Sequence, residues 1–402
     1  MAKKQLVVLG AGIGGLSVIK ELADSSVALD DLEITVVDED FSHFLGFTLP
    51  WVMRGWRDPD SVPIRPSVTT LAGVLPVTGT VRAVDPVART VTLAQGMDIV
   101  FDALVIATGA RNAIDNIPGL RDAVELGVAV HYYSAEAAAL AHRTLCAFTG
   151  GRLVFLVTSQ PYRCPVAPYE GALLAADLLR DKGSRADAEI SVYSPEKHPM
   201  PSAGPYAGPE LVALLEQNGI EFFGEHAVAR VDADRQELNF SNGTTTAFDL
   251  LVFVPPHEPA VTLDSPGWIS VDATTMQTQH TGIFAIGDTT AITSPSGRPL
   301  PKAAIFAKNG AKAAVANVLH YLGKADTNTG LSGEGYCYID TGSGASALGK
   351  GDFFTLPHPA IHLSRPSEEL HHDKQNEERD WRTIWERDTL LASEDEAMDD
   401  LA

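Results

Sequence analysis

Short, wholly apolar runs recur along the chain, each closed by glycine or a polar turn. Leu6–Leu9, Ile34–Val37 and Ala103–Ala107 have the length and composition of strands buried on both faces. Between the first two, the amphipathic run Leu16–Leu22 reads as a helix. A second series starts at Leu153–Val157, continues through a helix at Pro168–Arg180 and a strand at Glu189–Tyr193, and is followed by Leu250–Val254 and Ile283–Ile286. Such alternation predicts an α/β chain on parallel sheets. Two similar series with a late return predict a discontinuous first domain with the second inserted. Pro118 and the cluster Pro255, Pro256 and Pro259 punctuate the crossovers. The expected division is 1–115 with 260–320, an inserted unit 116–259, a small C-terminal domain 321–385, and an acidic tail 386–402, whose end Glu394–Ala402 is expected to be disordered because it has little to bury.

Composition changes this picture little. A length of 402 residues suffices for two or three cores. The net charge of −22 repels phosphate backbones and anionic lipid heads, so no nucleic-acid partner and at most peripheral membrane contact are expected. No apolar run approaches the roughly 20 residues of a membrane span. The opening Met-Ala-Lys-Lys leads into a glycine turn, not an export signal, so the chain is expected to be cytoplasmic. Three cysteines are too few for a disulfide scaffold, which leaves one redox pair to look for.

Gly10-Ala-Gly12-Ile-Gly14-Gly15 follows a strand and opens a helix, the context that a dinucleotide fingerprint requires. Gly10 permits the tight turn, Gly12 lets backbone approach a pyrophosphate, and Gly15 allows close helix–strand packing. Asp38 closes the next strand where a carboxylate can bond an adenosine ribose. The bland alternative is a tight turn with no ligand. Downstream stand Ala107-Thr108-Gly109, Ile286-Gly287-Asp288 and Pro301-Lys302-Ala303. With the fingerprint, these resemble the pyridine nucleotide–disulfide oxidoreductase superfamily. The resemblance implies two Rossmann-like FAD/NAD(P)-binding domains and bound FAD. Asp288 would bond the ribityl or pyrophosphate part, and a helix from about Ala303, with Lys302, would stabilise the reduced ring.

A nicotinamide-using member should repeat the glycine turn after Leu153–Val157. Thr158-Ser-Gln-Pro-Tyr-Arg-Cys164 has no glycine, and Val192-Tyr193-Ser194 lacks the ribose acid, although Glu196 is near. NAD(P)H is therefore disfavoured. Cys164 is expected at about the N-cap of the following helix, its thiolate favoured by the dipole and by Arg163. The segment Pro161–Glu170 resembles the sulfide-oxidising branch, the sulfide:quinone oxidoreductases and the flavocytochrome c sulfide dehydrogenase flavoproteins. That likeness implies a redox disulfide between Cys164 and a C-terminal partner, for which Cys337 is the candidate, and a sulfur substrate. Glu170 is either an acid/base or an early-helix carboxylate. Cys146 reads as structural, and Cys337 alone would read as a small buried hydrophobe.

The likeness has gaps. His131-Tyr-Tyr-Ser134 stands where quinone-dependent members often carry a further cysteine, and the loop around His198 does not match. The acceptor is open between a quinone and a redox protein, and a homodimer is compatible with the chain. An NAD(P)H-dependent reductase and a non-catalytic flavin-binding protein are the alternatives. His358, His362, His371, His372 and Asp373 lack metal-ligand spacing and read as solvated or capping residues, so no metal is expected. Trp51 and Trp56 either cover the flavin or pack in the core.

Overall fold

The computed structural model describes residues 3–67, 70–326 and 329–386. Of the acidic tail, 387–402 lies outside them. Each apolar run becomes a strand in one of two parallel five-stranded sheets. In the first, the order is Ile283–Ala285, Ala103–Ile106, Lys4–Leu9, Leu32–Asp38 and Val74–Thr78. In the second, it is Ile220–Phe223, Ala188–Tyr193, Gly151–Val157, Leu250–Val254 and Ala129–Val130. Leu250–Val254 thus belongs to the inner unit, in register with Leu153–Val157, and the chain returns to the first sheet only after it.

Helix Ile13–Asp24 covers the first sheet together with Ala304–Tyr321, burying Leu16, Ile19 and Leu22 against Val315 and Val318. Helix Ala167–Asp181 is buried along nearly its whole length in the larger core of the second unit. A short antiparallel ribbon, Ala110–Asn112 with His257–Pro259, joins the two outer crossings between units. Two three-stranded antiparallel sheets, Val81–Val100 and Val228–Ala247, are additions the periodicity did not suggest. Their strands are three to five residues long and half exposed, so they carry little hydrophobic signal.

The C-terminal part is a hairpin, Glu334–Gly342 with Ala345–Asp352, and a helix, Glu368–Trp385. Trp381 and Trp385 pack into the core of the first sheet, with the Trp381 indole donating to His43 Nε2 at 2.8 Å. This helix therefore clamps the hairpin onto the first unit. Among the described residues no helix is long and apolar enough to cross a membrane.

Candidate active site

Parallel sheets gather ligand-binding loops at the carboxyl ends of their strands. A cavity of about 530 Å³ opens there, and all four loops singled out in the first unit line it: Gly10–Gly14, Asp38, Ala107–Gly109 and Ile286–Asp288. Gly10 has φ +95°, and a Cβ there would meet the Ala107 carbonyl oxygen at 2.6 Å. A Cβ on Gly15 would overlap the Gly10 carbonyl oxygen, which makes this the close helix–strand contact. Gly12 differs: nothing lies within 4 Å of an added Cβ, because it faces open cavity. Gly14 packs on Ile286 and Ala107.

Asp38 braces the turn, accepting from the Ala11 amide at 2.6 Å and the Phe41 amide at 2.9 Å. Oδ1 also accepts from the Asp40 amide at 3.2 Å, whereas Oδ2, bonded only to Ala11, keeps a lone pair for a ribose hydroxyl. Glu39, not anticipated, lines the cavity beside it. Among the described residues Thr108 Oγ1 and Arg163 Nε are buried without a hydrogen-bond partner, as expected of atoms that await a polar ligand. Desolvation pushes the Asp288 carboxyl upward against the opposing pull of Lys302 and Arg163. Helix Ala304–Tyr321 points its N-terminus at the cavity through Ala303, Ala304 and Ile305. The Lys302 ammonium is already committed to the carbonyls of Asp288 (2.8 Å) and Thr290 (3.0 Å), over the Trp268 ring. Burial lowers its pKa to about 8, which weakens the charge it can offer a reduced ring. These groups fit a flavin dinucleotide: glycine room for a pyrophosphate, an acid for a ribose, and a helix N-terminus for an anionic ring.

In the second unit the corresponding turn is filled by its own side chains. Glu196 is buried and accepts from Gln160 Nε2 at 2.7 Å and from the hydroxyls of Tyr162 (2.9 Å) and Tyr169 (3.1 Å). Its carboxylate is thus turned inward and does not await a ribose. Mixing the oxidised protein with excess NADH or NADPH in a stopped-flow spectrometer should leave the flavin unbleached on the second timescale. Rapid, saturable bleaching at micromolar NADH would overturn that expectation.

Cys164 and Cys337 line the same cavity, one from each side of the chain's topology. Cys164 is not the N-cap. Helix Ala167–Asp181 is capped by Val166, and Cys164 sits two residues earlier at φ +59°. Its amide donates to the Lys302 carbonyl at 2.8 Å, stapling the turn to the first unit. Nor is its thiolate favoured. Burial pushes the thiol up to about 11, and the neighbouring Glu170 adds to the rise. Arg163 gives little help, since its guanidinium is turned to Asn112 Oδ1 (3.1 Å) and the Tyr133 ring. Cys337, in mid-strand opposite Gly349, is raised further by burial and by Cys164 itself. Cys146 lies on helix Ala135–Ala147, 3.6 Å from His142 Nε2, and lines neither this cavity nor the apolar one next to it.

Glu170 heads a buried ionic cluster that the sequence did not suggest. Glu170, Lys374 and Asp340 side chains are at most 1 % exposed. Lys374 Nζ pairs with Glu170 Oε1 and, at 2.7 Å, with Asp340 Oδ2. Asp340 also accepts from the Trp51 indole (2.5 Å), His371 Nδ1 (2.7 Å) and Ser346. Glu170 adds only the Asp340 amide at 3.0 Å. Two buried carboxylates share one ammonium, so the one with more hydrogen-bond donors ionises and the other holds its proton. The Lys374 charge and these donors hold the Asp340 carboxyl well below the usual range despite its burial, while desolvation raises Glu170 to about 8.

His371 is therefore no solvated residue, and Trp51 and Trp56 flank it away from the cofactor cavity. The signal was present: His371, Lys374, Glu378, Trp381 and Trp385 are spaced as one helix face, but a mostly polar one. A raised acid stabilises the fold below its unfolded pKa and loses that contribution as pH rises through its folded value. Glu170→Gln should therefore lose less thermal stability than the wild type between pH 5 and 9, by about 2 °C or more. Parallel melting curves check this; equal slopes would remove Glu170 as the cause.

The pyridine nucleotide-disulphide oxidoreductase family matches residues 4–313 of the chain. The protein belongs to that family. This oxidoreductase is FAD-dependent, and FAD is its cofactor. It is 24 % identical over 356 residues to the mitochondrial sulfide:quinone oxidoreductase of Dictyostelium discoideum, covering 84 % of this chain and 75 % of that one. It is also 26 % identical over 314 residues to the nitrite reductase [NAD(P)H] of Bacillus subtilis (strain 168), covering 72 % of this chain and 34 % of that one. In fold it resembles the solved sulfide:quinone oxidoreductase of the hyperthermophilic bacterium Aquifex aeolicus. The TM-score is 0.82 at 19 % identity, over 95 % of this chain and 92 % of the other.

Proposed function

We propose that this oxidoreductase oxidises sulfide, or a related sulfane-sulfur compound, through Cys164 and Cys337, and passes the electrons through FAD to a quinone or another acceptor. The observation that carries the reading is that Cys164, Cys337 and Glu170 all line the cofactor cavity, although 167 residues separate Glu170 from Cys337 in sequence.

In this reading the resting pair is a disulfide. Hydrosulfide attacks one sulfur, so that an S–S bond forms to give a persulfide and the Cys164–Cys337 bond breaks. The departing sulfur belongs to a cysteine with a raised pKa and leaves poorly as a thiolate. Glu170, still protonated at neutral pH, supplies the proton, and the Lys374 ammonium steadies the carboxylate left behind. The sulfane sulfur then passes to an external nucleophile, which leaves both cysteines as thiols; FAD, when bound, would supply the acceptor for the electron pair given up as the two thiols rejoin in the disulfide and release their protons. A second, apolar cavity, also of about 530 Å³ and lined by Met200, Trp268, Phe306 and Phe353, shares Cys337 with the cofactor cavity. Its walls suit an uncharged species, neutral hydrogen sulfide inward or sulfane sulfur outward.

An anaerobic sulfide titration followed by flavin absorbance tests the reading. The expected result is complete bleaching at about one equivalent. Absence of bleaching by sulfide, with the protein yellow and intact, would defeat it.

A further inference from the structure

Glu170 faces a difficulty of supply. It is buried, and the cavity it borders is the one a bound cofactor fills, so water cannot readily restore its proton from that side. The ionic cluster behind it leads elsewhere. From Glu170 Oε1 the chain of contacts runs to Lys374 Nζ, then 2.7 Å to Asp340 Oδ2, and from Asp340 Oδ1 2.7 Å to His371 Nδ1. His371 Nε2 then meets Gln375 at 3.0 Å. His371 and Gln375 both line a separate cleft of about 470 Å³, walled by Trp51, Trp56, Arg54 and Arg57. The cleft and the cofactor cavity share no lining residue. A continuous line of hydrogen-bonded donors and acceptors therefore joins two spaces that share no lining residue.

We propose that Lys374, Asp340 and His371 form a proton relay between Glu170 and this outer cleft. The proposal rests on the reading of Glu170 as the acid at the cysteine pair. Per turnover of the relay, one N–H breaks at His371 and one O–H forms at Glu170. Lys374 and Asp340 each gain one proton and lose one, and water in the cleft restores His371. No electrons move.

The surroundings favour this path. Glu170 faces Lys374, the two thiols and the Tyr132 hydroxyl, which is tied to the Ala167 carbonyl at 2.7 Å. On the cleft side Arg54 is held by Asp177 and Asp181. Arg57 is held by Glu378 and lies over Trp51. These cations are neutralised in place by Asp177, Asp181 and Glu378, and His371, beside His372 on its own helix, is the side chain whose hydrogen bonds reach from Asp340 to the cleft.

Small imidazoles provide the test, because a lost shuttle at a cleft can be replaced from solution and a lost packing contact cannot. Flavin reduction is followed by stopped flow in weak buffer, with sulfide as donor in one arm and dithiothreitol in the other. His371→Ala should slow both arms about ten-fold or more with FAD content unchanged, and added imidazole or methylimidazoles should restore the rate in a saturable manner ordered by their pKa. His371→Gln keeps a hydrogen bond to Asp340 and fills the gap, so it should be equally slow and stay slow in imidazole. Wild-type rates in these variants, or a loss in His371→Ala that imidazoles leave uncorrected with FAD in place, overturn the relay. If His371→Ala fails to hold FAD, the glutamine variant decides: slow reduction with a displaced pH profile supports the relay, and a wild-type rate and profile overturn it. If sulfide does not reduce the wild type, the sulfide reading falls, and the dithiothreitol arm still decides on the relay.

Discussion

Replacing Cys164 or Cys337 by serine is expected to abolish reduction of the flavin by sulfide, a loss of roughly 10³-fold or more, while the protein remains yellow. Serine is isosteric with cysteine but cannot form the persulfide, so the substitution removes the chemistry and leaves the packing. The dinucleotide would not depend on either thiol, because the glycine turn, Asp38 and Asp288, which would hold its pyrophosphate and ribose groups, line the cavity from the other unit. Cys146→Ser should match the wild type, since that sulfur borders neither cavity. Anaerobic stopped-flow traces at 450 nm read all three variants. Unchanged bleaching in both Cys164→Ser and Cys337→Ser would dismiss the cysteine pair, even if sulfide proved to be a donor.

Gly12→Val should yield folded, colourless protein, with FAD affinity down by about two orders of magnitude or more, in keeping with a blocked phosphate contact. Two facts isolate this effect. Gly12 has φ −79°, which any residue adopts, and an added Cβ meets nothing within 4 Å. The polypeptide tolerates the side chain; only the ligand loses its room. Gly15→Val is the contrasting case, because its Cβ would strike the Gly10 carbonyl and damage the helix–strand packing itself. Absorbance ratio and circular dichroism on both variants separate lost cofactor from lost fold. A yellow Gly12→Val protein would place the dinucleotide elsewhere.

The two parallel sheets were legible because strands buried on both faces are written as uninterrupted apolar runs. The first-unit loops were legible because a glycine run at a strand–helix turn serves little besides the close approach of a phosphate. The residues that nothing in the sequence marked have a common character. Asp340 is a buried polar residue that stands 31 positions from His371 and 34 from Lys374, so no local spacing joins the three. The face His371–Trp385 mixes charge with aromatics, so it forms no apolar stripe. The state of Cys164 was hidden in a related way. A helix dipole and an adjacent arginine are visible in the sequence, whereas the depth of burial and the turning of Arg163 toward Asn112 are tertiary facts.

The ribbon that pairs His257 with Asn112 and Pro259 with Ala110 sets the entrance and exit of the second unit side by side. A segment whose two ends are neighbours can be lifted out and transplanted with a single seam, in the manner of a cassette. Cys164 and Glu170 would travel with it; Cys337, Lys374 and the glycine turn would remain in the recipient. A chimaera spliced at that ribbon would keep its yellow colour from one parent and test whether two sulfurs of separate ancestry can still be made to react.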